Sequence, residues 1–312
     1  MSATQAPLRQ SASEPCSPTL HQVMLPDGRL LAYCEYGDPL GRPTLYCHGF
    51  PSSRLEAELF DLAARDAGVR IIAPDRPGYG DSAPDPQRTL LSWAADAQAL
   101  ADHLGLDQLD LLGVSGGGPY ALACLACIPN RIARCTLVCP LGPIFLDSVR
   151  LQMRLGTRLS FTLTRRVPRL AAVLHRGALP TLIGASPWLI DRVRAGNAGP
   201  ADRAVLRAPR VASILTRSVQ AAMQAGALGS RQDLDLYTRP WGIAFASLEH
   251  PIDLWHGDTD NTVPLAHARW YAAHLPHCHL HVLPGEGHYS LPIRHAGRIL
   301  TGETETAVSA RG

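Results

Sequence analysis

One serine in this chain has the neighbours that a nucleophile requires. Ser115 lies within GVSGG (113–117), a G-x-S-x-G pattern between a short apolar run and a segment of helix-forming residues. A sharp turn from strand to helix crowds the positions that flank such a serine, and glycine relieves the crowding because it has no Cβ. We therefore predict that Ser115 is a nucleophile held at the start of a helix.

A serine hydroxyl attacks only when a base removes its proton and a carboxylate holds that base in the right tautomer. His288 ends the glycine-rich GEGH segment after the last predicted strand, and it is the predicted base. Asp260 follows the preceding predicted strand and is the predicted acid, since both loops leave the same edge of the sheet as Ser115. Two other carboxylates stay open as the acid: Asp258 and Asp147.

Two N–H donors are needed for the oxyanion that forms when a serine attacks a carbonyl group. The backbone N–H of Gly116, at the N-terminus of the predicted helix, is one candidate. The second is expected from the loop after the third strand, which has the sequence HGFP (48–51). There the N–H of Phe50 is the candidate, since Gly49 lets the backbone approach closely.

The elements that must position these residues alternate between strand-like and helix-like runs from residue 21 to 140. An antiparallel hairpin comes first, followed by short runs apolar on both faces, as in buried parallel strands, at 44–49, 69–75, 109–114 and 133–140. Helical patterns connect these runs. This order predicts an α/β fold with a mostly parallel central sheet and helices on both faces.

The alternation of strand-like and helix-like runs stops after residue 140, where helical patterns follow one another without strands. Strand signals return at 252–257 and 279–285. A helical block between two strands of one sheet is expected to form a cap, or lid, over the strand ends. The predicted organisation is a disordered tail, a core in two pieces and a helical cap: 1–20, 21–140 with 249–303, and 141–248.

Five motifs give the chain its resemblance to a known family: HGFP, DRPGYGDS, GVSGGG, HGDTDNTVP and GEGH. In this order they resemble the α/β-hydrolase fold family, in its lidded branch of esterases, lipases and related hydrolases. The resemblance covers residues 21–300 and implies a mainly structural role for the DRPGYGDS loop (75–82). It also implies the roles assigned above: nucleophile Ser115, acid Asp260, base His288, and oxyanion donors Phe50 and Gly116.

The predicted reaction is hydrolysis of a carboxylic ester, thioester or lactone through an acyl-serine intermediate, with no cofactor. Alternatives on the same triad are carbon–carbon bond hydrolysis and cofactor-free perhydrolysis of the haloperoxidase kind; a ligand-binding protein without turnover is a further one. Proline iminopeptidases of this family usually have tryptophan after the nucleophile, where this chain has Gly116, which disfavours an aminopeptidase. Dehalogenases and epoxide hydrolases of this fold use a nucleophilic aspartate, which is absent here because Ser115 holds that position.

Charge is concentrated in the predicted cap. Residues 141–240 carry 15 arginines against five aspartates and no glutamate, a net charge of +10. Apolar residues lie between the arginines: Leu151, Met153, Leu155, Leu159, Phe161 and Leu163. Such helices can cover an apolar pocket with one face and expose arginines on the other, so we expect a small-molecule substrate with an apolar acyl part. A basic rim that attracts anionic substrates is the alternative.

Other partners are disfavoured by the sequence. No aromatic-interleaved basic run accompanies the arginines, so a nucleic-acid partner is not expected. The apolar stretch at 170–190 is interrupted by charged residues and proline too soon to span a membrane. Residues 1–20 hold no apolar run of the signal-peptide kind, which predicts a cytoplasmic protein. The oligomeric state is not indicated.

No metal site is expected. His277, His279 and His281 alternate along the last strand and are interpreted as exposed polar side chains rather than ligands. Cys124 and Cys127 form a CxxC inside a predicted helix, where small core residues are the simpler interpretation.

Overall fold

A computed structural model describes residues 19–166 and 186–303. Eight strands form one sheet within these residues. In chain order they are β1 (His21–Met24), β2 (Leu30–Gly37), β3 (Arg42–Cys47), β4 (Val69–Pro74), β5 (Leu109–Val114), β6 (Ile132–Val138), β7 (Ile252–Gly257) and β8 (Cys278–Leu283). Each strand that the sequence predicts is present.

The strands lie in the order β1-β2-β4-β3-β5-β6-β7-β8. β1 and β2 pair antiparallel, β2 pairs antiparallel with β4, and the other neighbours are parallel. The central strand β5 (LDLLGV) is buried along its whole length, as expected for a strand covered on both faces. The predicted fold class, a mostly parallel sheet with helices on both faces, is confirmed.

Helices cover both faces of the sheet. The described α-helices are α1 (Asp61–Asp66), α2 (Trp93–His103), α3 (Gly118–Cys127), α4 (Asp147–Arg150), α5 (Leu155–Arg166), α6 (Pro187–Asn197), α7 (Pro200–Leu206), α8 (Pro209–Tyr237), α9 (Leu265–His274), α10 (Ser290–Arg294) and α11 (Ala296–Thr301). One apolar core cluster includes residues of α2, α3 and α9, and the other includes residues of α1 and α11. Because neighbouring residues of β5 point to opposite faces, Leu111 belongs to the first cluster and Leu112 to the second.

The helices α4 to α8 all lie between β6 and β7. No strand occurs in the described part of residues 141–248, which we call the inserted segment. The longest of the described helices, α8, has 29 residues and starts with Pro209 in its first turn, where a missing N–H is tolerated. The predicted cap boundaries stay a prediction. The predicted tail and most of the 170–190 stretch lie outside the described residues.

No helix in the described ranges is both long and apolar enough to cross a membrane. The segment after β3 begins as a 3-10 helix (Arg54–Phe60), which continues into α1. The side chain of Ser53 caps it by accepting a hydrogen bond from the N–H of Leu55.

Candidate active site

Ser115 stands at the turn between β5 and α3 with φ at +53°, a left-handed conformation that is uncommon for a residue with a side chain. The flanking glycines permit this turn. A Cβ on Gly117 would lie 1.9 Å from the carbonyl oxygen of Cys47, and one on Gly113 would lie 2.8 Å from the Cβ of Ala121. The strained serine is thus held by a turn that admits only glycine two residues before it and two residues after it.

The three residues of the predicted triad meet at one edge of the sheet. Ser115 Oγ lies 3.0 Å from His288 Nε2, and His288 Nδ1 lies 2.7 Å from Asp260 Oδ2. All three side chains are at least nine-tenths buried. Since Asp260 accepts from Nδ1, the Nε2 atom of the neutral ring is left unprotonated and can accept the hydroxyl proton of Ser115.

The surroundings of Asp260 hold it in the charged form. Its Oδ1 atom accepts hydrogen bonds from the N–H groups of Thr262 and Val263, each at 2.8 Å. Burial raises the pKa of this carboxyl, but the charge of His288 and these hydrogen bonds outweigh burial, so the pKa lies below its usual value. For His288, burial lowers the pKa, and the nearby Asp260 charge more than reverses that effect and raises it.

One group of potential metal ligands overlaps this site. The donor atoms of Cys139, Asp260 and His288 lie within 4.8 Å of one another in the described residues. Both ring nitrogens of His288 already have partners, Asp260 and Ser115. No ring nitrogen therefore remains for an ion in this arrangement.

The two alternative acids are bound elsewhere. Asp258 is exposed and accepts a hydrogen bond from the N–H of Gly285 at 2.7 Å. Asp147, with 62% of its side chain exposed, pairs with Arg150 and Arg165. In this structure only Asp260, among the three candidates, contacts His288.

The two predicted oxyanion donors lie side by side. Phe50 N is 3.2 Å from the position that a Cβ on Gly116 would occupy, and a Cβ on Gly49 would be 3.5 Å from the Cβ of Ser115. A Cβ on Gly116 would also lie 2.6 Å from Phe50 Cβ and 2.8 Å from the hydroxyl oxygen of Tyr237. A larger residue therefore cannot follow the serine in this chain.

A cavity of about 360 Å³ opens beside Ser115 and His288. Its described walls are mainly apolar and include Met153, Phe161 and Ile190 of the inserted segment. The prediction that apolar residues of this segment face a pocket is thus correct for Met153 and Phe161. It is wrong for three leucines, which are more than half exposed: Leu151, Leu155 and Leu159.

Two charged side chains also line the cavity. Glu56 accepts hydrogen bonds from the N–H of Gly49 at 2.7 Å and from the hydroxyl of Tyr46 at 3.1 Å, and burial raises its pKa. Arg194 is buried and pairs through Nη1 with Asp191, while its buried Nη2 has no hydrogen-bond partner in the described ranges.

Sequence reasoning missed Asp202, an aspartate of α7 in the inserted segment. It is fully buried, and its carboxylate accepts hydrogen bonds from the N–H groups of His288 (3.1 Å), Tyr289 (2.8 Å) and Ser290 (2.9 Å). Asp202 therefore fixes the loop that carries His288. No local pattern could reveal this contact, because 86 residues separate Asp202 from His288.

Of the three histidines in and just before β8, two are exposed, as predicted, whereas His281 is not. His277 and His279 have more than half of their side chains exposed. His281 is more buried and stacks on Trp255 with ring centroids 4.5 Å apart. Of the CxxC pair, Cys124 is buried as predicted, whereas Cys127 is exposed.

Comparison with known proteins agrees with the fold. A family model described as the alpha/beta hydrolase fold matches residues 43–293. The chain is 30% identical over 265 residues to the dihydrolipoyllysine-residue acetyltransferase component of the acetoin cleaving system of Pseudomonas putida. The matched region covers 84% of this chain and 62% of that protein. It is 33% identical over 128 residues to the non-heme chloroperoxidase of Streptomyces lividans, or 40% of this chain and 46% of that one.

The chain thus spans between about half and two thirds of the length of these relatives. Among solved structures, a thermophilic esterase from Thermogutta terrifontis superposes with a TM-score of 0.66 at 22% identity, over 91% of this chain and 96% of that one. The family match covers most of the chain and includes Ser115, Asp260 and His288. The chain therefore belongs to the alpha/beta hydrolase fold family.

Proposed function

We propose that this protein is a serine hydrolase that cleaves a carboxylic ester, thioester or lactone. The observation that carries the proposal is the continuous chain of contacts from Ser115 through His288 to Asp260, at 3.0 and 2.7 Å, beside an apolar cavity. A nucleophile, a base and an orienting acid in this order are what acyl transfer to serine requires.

In the proposed mechanism, His288 Nε2 takes the hydroxyl proton while Ser115 Oγ attacks the acyl carbon. The carbonyl oxygen becomes an oxyanion and accepts hydrogen bonds from the N–H groups of Phe50 and Gly116. Asp260 stabilises the imidazolium that forms. Collapse of the intermediate expels the alcohol or thiol, which takes its proton from His288, and water then repeats the sequence to release the acid.

The substrate proposed for this site has an apolar acyl part. Aliphatic and aromatic side chains of α5, α6 and α8 line the cavity together with Phe50, and removal of an apolar chain from water is favourable by about 25 cal/mol per Å². A cavity of about 360 Å³ is at the small end of the range for ligand sites, which favours short acyl chains.

A second candidate reaction is perhydrolysis, in which hydrogen peroxide replaces water in attack on the acyl-serine. Similarity to the non-heme chloroperoxidase favours it, over 40% of this chain. The same Ser115, His288 and oxyanion donors would serve both reactions. Peracid formation from an ester in the presence of peroxide, measured beside ester hydrolysis, separates the two.

The proposed function is tested with Ser115→Ala and a p-nitrophenyl ester series of increasing acyl length. We expect a loss on the order of 10⁴ to 10⁶ in kcat, because a single missing triad member removes the acyl-serine route. Fluorophosphonate labelling should disappear with it. Ser247→Ala, at an exposed serine outside the site, is the matched control and should keep full activity. A Ser115→Ala protein with more than a tenth of the wild-type rate contradicts the proposal.

A further inference from the structure

A buried charge network lies behind the loop that carries Phe50. Its centre is Asp233, a fully buried residue of α8 in the inserted segment. The carboxylate accepts hydrogen bonds from Arg76 at 2.8 Å and from Arg88 at 2.5 Å, and both guanidinium groups are also fully buried. Two tyrosine hydroxyls, those of Tyr79 and Tyr120, donate to the same carboxylate, and the hydroxyl oxygen of Tyr237 lies 3.2 Å from it.

This network keeps Asp233 ionised. Burial alone raises the pKa of a carboxyl, but here the two guanidinium charges and the hydroxyl donors outweigh burial and lower the pKa of Asp233 to about 2. The carboxylate is therefore the counter-ion that lets Arg76 remain charged inside the protein. Without this partner the buried charge of Arg76 would be uncompensated and strongly destabilising.

Arg76 in turn holds the loop between β3 and the 3-10 helix. Its guanidinium donates to the carbonyl oxygens of His48 and Gly49, the latter at 3.0 Å. The backbone N–H of Arg76 donates to His48 Nε2 at 3.3 Å, so the ring proton of a neutral His48 sits on Nδ1. Nδ1 then donates to the Gly49 carbonyl at 2.9 Å. Burial and the charge of Arg76 hold the pKa of His48 well below its usual value, which keeps the ring neutral.

The Gly49 carbonyl belongs to the same peptide unit as the Phe50 N–H. A trans peptide is planar and its C=O and N–H point in opposite directions, so fixing the carbonyl also fixes the N–H. Glu56 anchors the other side of Gly49 through its N–H at 2.7 Å. Within the described ranges the Phe50 N–H has no acceptor of its own, and Phe50 lines the cavity with Ser115.

The same helix contacts the carbonyl group of the residue whose N–H is the second candidate donor. Tyr237, four residues after Asp233 on α8, donates a hydrogen bond to the carbonyl oxygen of Gly116 at 2.8 Å. Its ring packs edge-on against Phe50, with centroids 5.6 Å apart. α8 can approach Tyr79 closely because Gly229 has no Cβ. A Cβ there would lie 2.3 Å from the ring of Tyr79.

We propose that Asp233 is a positioning residue for the reaction, because through Arg76 and His48 it orients the Gly49–Phe50 peptide so that the Phe50 N–H points to the oxyanion. The inserted segment therefore completes the oxyanion hole as well as covering the substrate. This inference rests on the proposed serine-hydrolase function. It assigns a role in the reaction to Arg76, in the DRPGYGDS loop whose predicted role was mainly structural.

The first test is Asp233→Asn, which keeps the shape of the side chain and removes its charge. The expected result is a loss of about 10² in kcat, the usual effect of a missing oxyanion donor, with KM changed less than threefold. A trifluoromethyl ketone forms a tetrahedral adduct with an oxyanion on the serine, and its Ki should rise by the same factor as kcat falls. Binding of an ether analogue of the ester, which has no carbonyl oxygen to become an oxyanion, should stay the same.

Two controls separate positioning from general damage. Asp96→Asn removes the charge of a buried carboxylate that pairs with Arg29 outside this network, so stability should fall while kcat stays within threefold. Asp235→Asn changes a partly exposed aspartate on α8 that pairs with Arg239, and it should behave as wild type.

If Asp233→Asn does not fold, Arg76→Lys tests the same link, because it keeps a buried positive charge and removes the paired donors to the His48 and Gly49 carbonyls. We expect kcat and trifluoromethyl ketone affinity to fall together by about tenfold. Unchanged ketone affinity in the folded variants, or an equal loss in Asp96→Asn, overturns the proposal. A wild-type protein that fluorophosphonate does not label and that cleaves no ester refutes the proposed function instead, so the two failures are distinct.

Discussion

The replacement Asp260→Asn tests the assignment of the acid most directly. Asp260 accepts two backbone N–H bonds on Oδ1 and the Nδ1–H of His288 on Oδ2. An asparagine that keeps the two backbone bonds must turn its NH₂ group toward His288. The ring must then accept on Nδ1 and carry its proton on Nε2, where it can no longer take the proton of Ser115.

The expected loss follows from two contributions. A buried carboxylate and an imidazolium whose charge centres are about 4 Å apart attract each other by about 4 kcal/mol at an effective dielectric constant of about 20. Reversal of one buried hydrogen bond adds about 1 to 2 kcal/mol. The sum, about 5.5 kcal/mol, corresponds to about 10⁴ in kcat. This agrees with the typical effect of the same replacement in Ser-His-Asp triads.

The assay is the hydrolysis of a short p-nitrophenyl ester at pH 8, with thermal unfolding as the check of the fold. Asp258→Asn and Asp147→Asn are matched controls, because each removes the charge of an aspartate that does not contact His288. Both should stay within threefold of wild type in kcat. The reasoning is refuted if Asp260→Asn keeps more than a tenth of the wild-type kcat, or if either control loses more than Asp260→Asn does.

Three further outcomes are expected. Log kcat/KM should rise with pH through a midpoint above about 6.5, the usual pKa of histidine, because only neutral His288 accepts the serine proton and Asp260 raises the pKa of His288. A midpoint below about 6 contradicts this. Asp202→Asn should lower that midpoint, since the charge of Asp202 also raises the pKa of His288; an unchanged pH profile contradicts this. The same replacement should lower the free energy of unfolding by about 2 kcal/mol, because the His288 N–H loses its acceptor. Finally, kcat/KM for neutral esters should change little between low and high salt, whereas a steep fall with carboxylated esters as best substrates would make Arg194 and the basic surface part of substrate recognition.

Much of the core could be predicted from local sequence. The strand β5 is apolar throughout because both of its faces are buried, and the glycines around Ser115 are required by contacts of the turn itself, at 1.9 Å and 2.8 Å for an added Cβ. The placement of His288 after the last strand follows from chain order in a parallel sheet, whose carboxyl ends share one edge. These features depend on neighbours close in sequence or on a repeating pattern.

Chain order favoured Asp260 as the acid but left Asp258 and Asp147 open. Asp258 and Asp260 are two residues apart in one loop, and only the folded loop turns Asp260 toward His288 while Asp258 binds the Gly285 N–H.

Only the tertiary structure could show the aspartates of the inserted segment that support the site. Asp202 meets the loop of His288 across 86 residues, and Asp233 meets Arg76 across 157. In the sequence both are ordinary acidic residues among many arginines, and nothing in their local pattern marks them as buried. Each becomes buried only when α7 and α8 fold back onto the sheet edge, where it is stabilised by donors from the core. Sequence by itself therefore determined the sheet and predicted the nucleophile and base that it carries, whereas long-range packing decided how those groups are held, because burial and hydrogen bonding between distant segments leave no periodic signal in the chain.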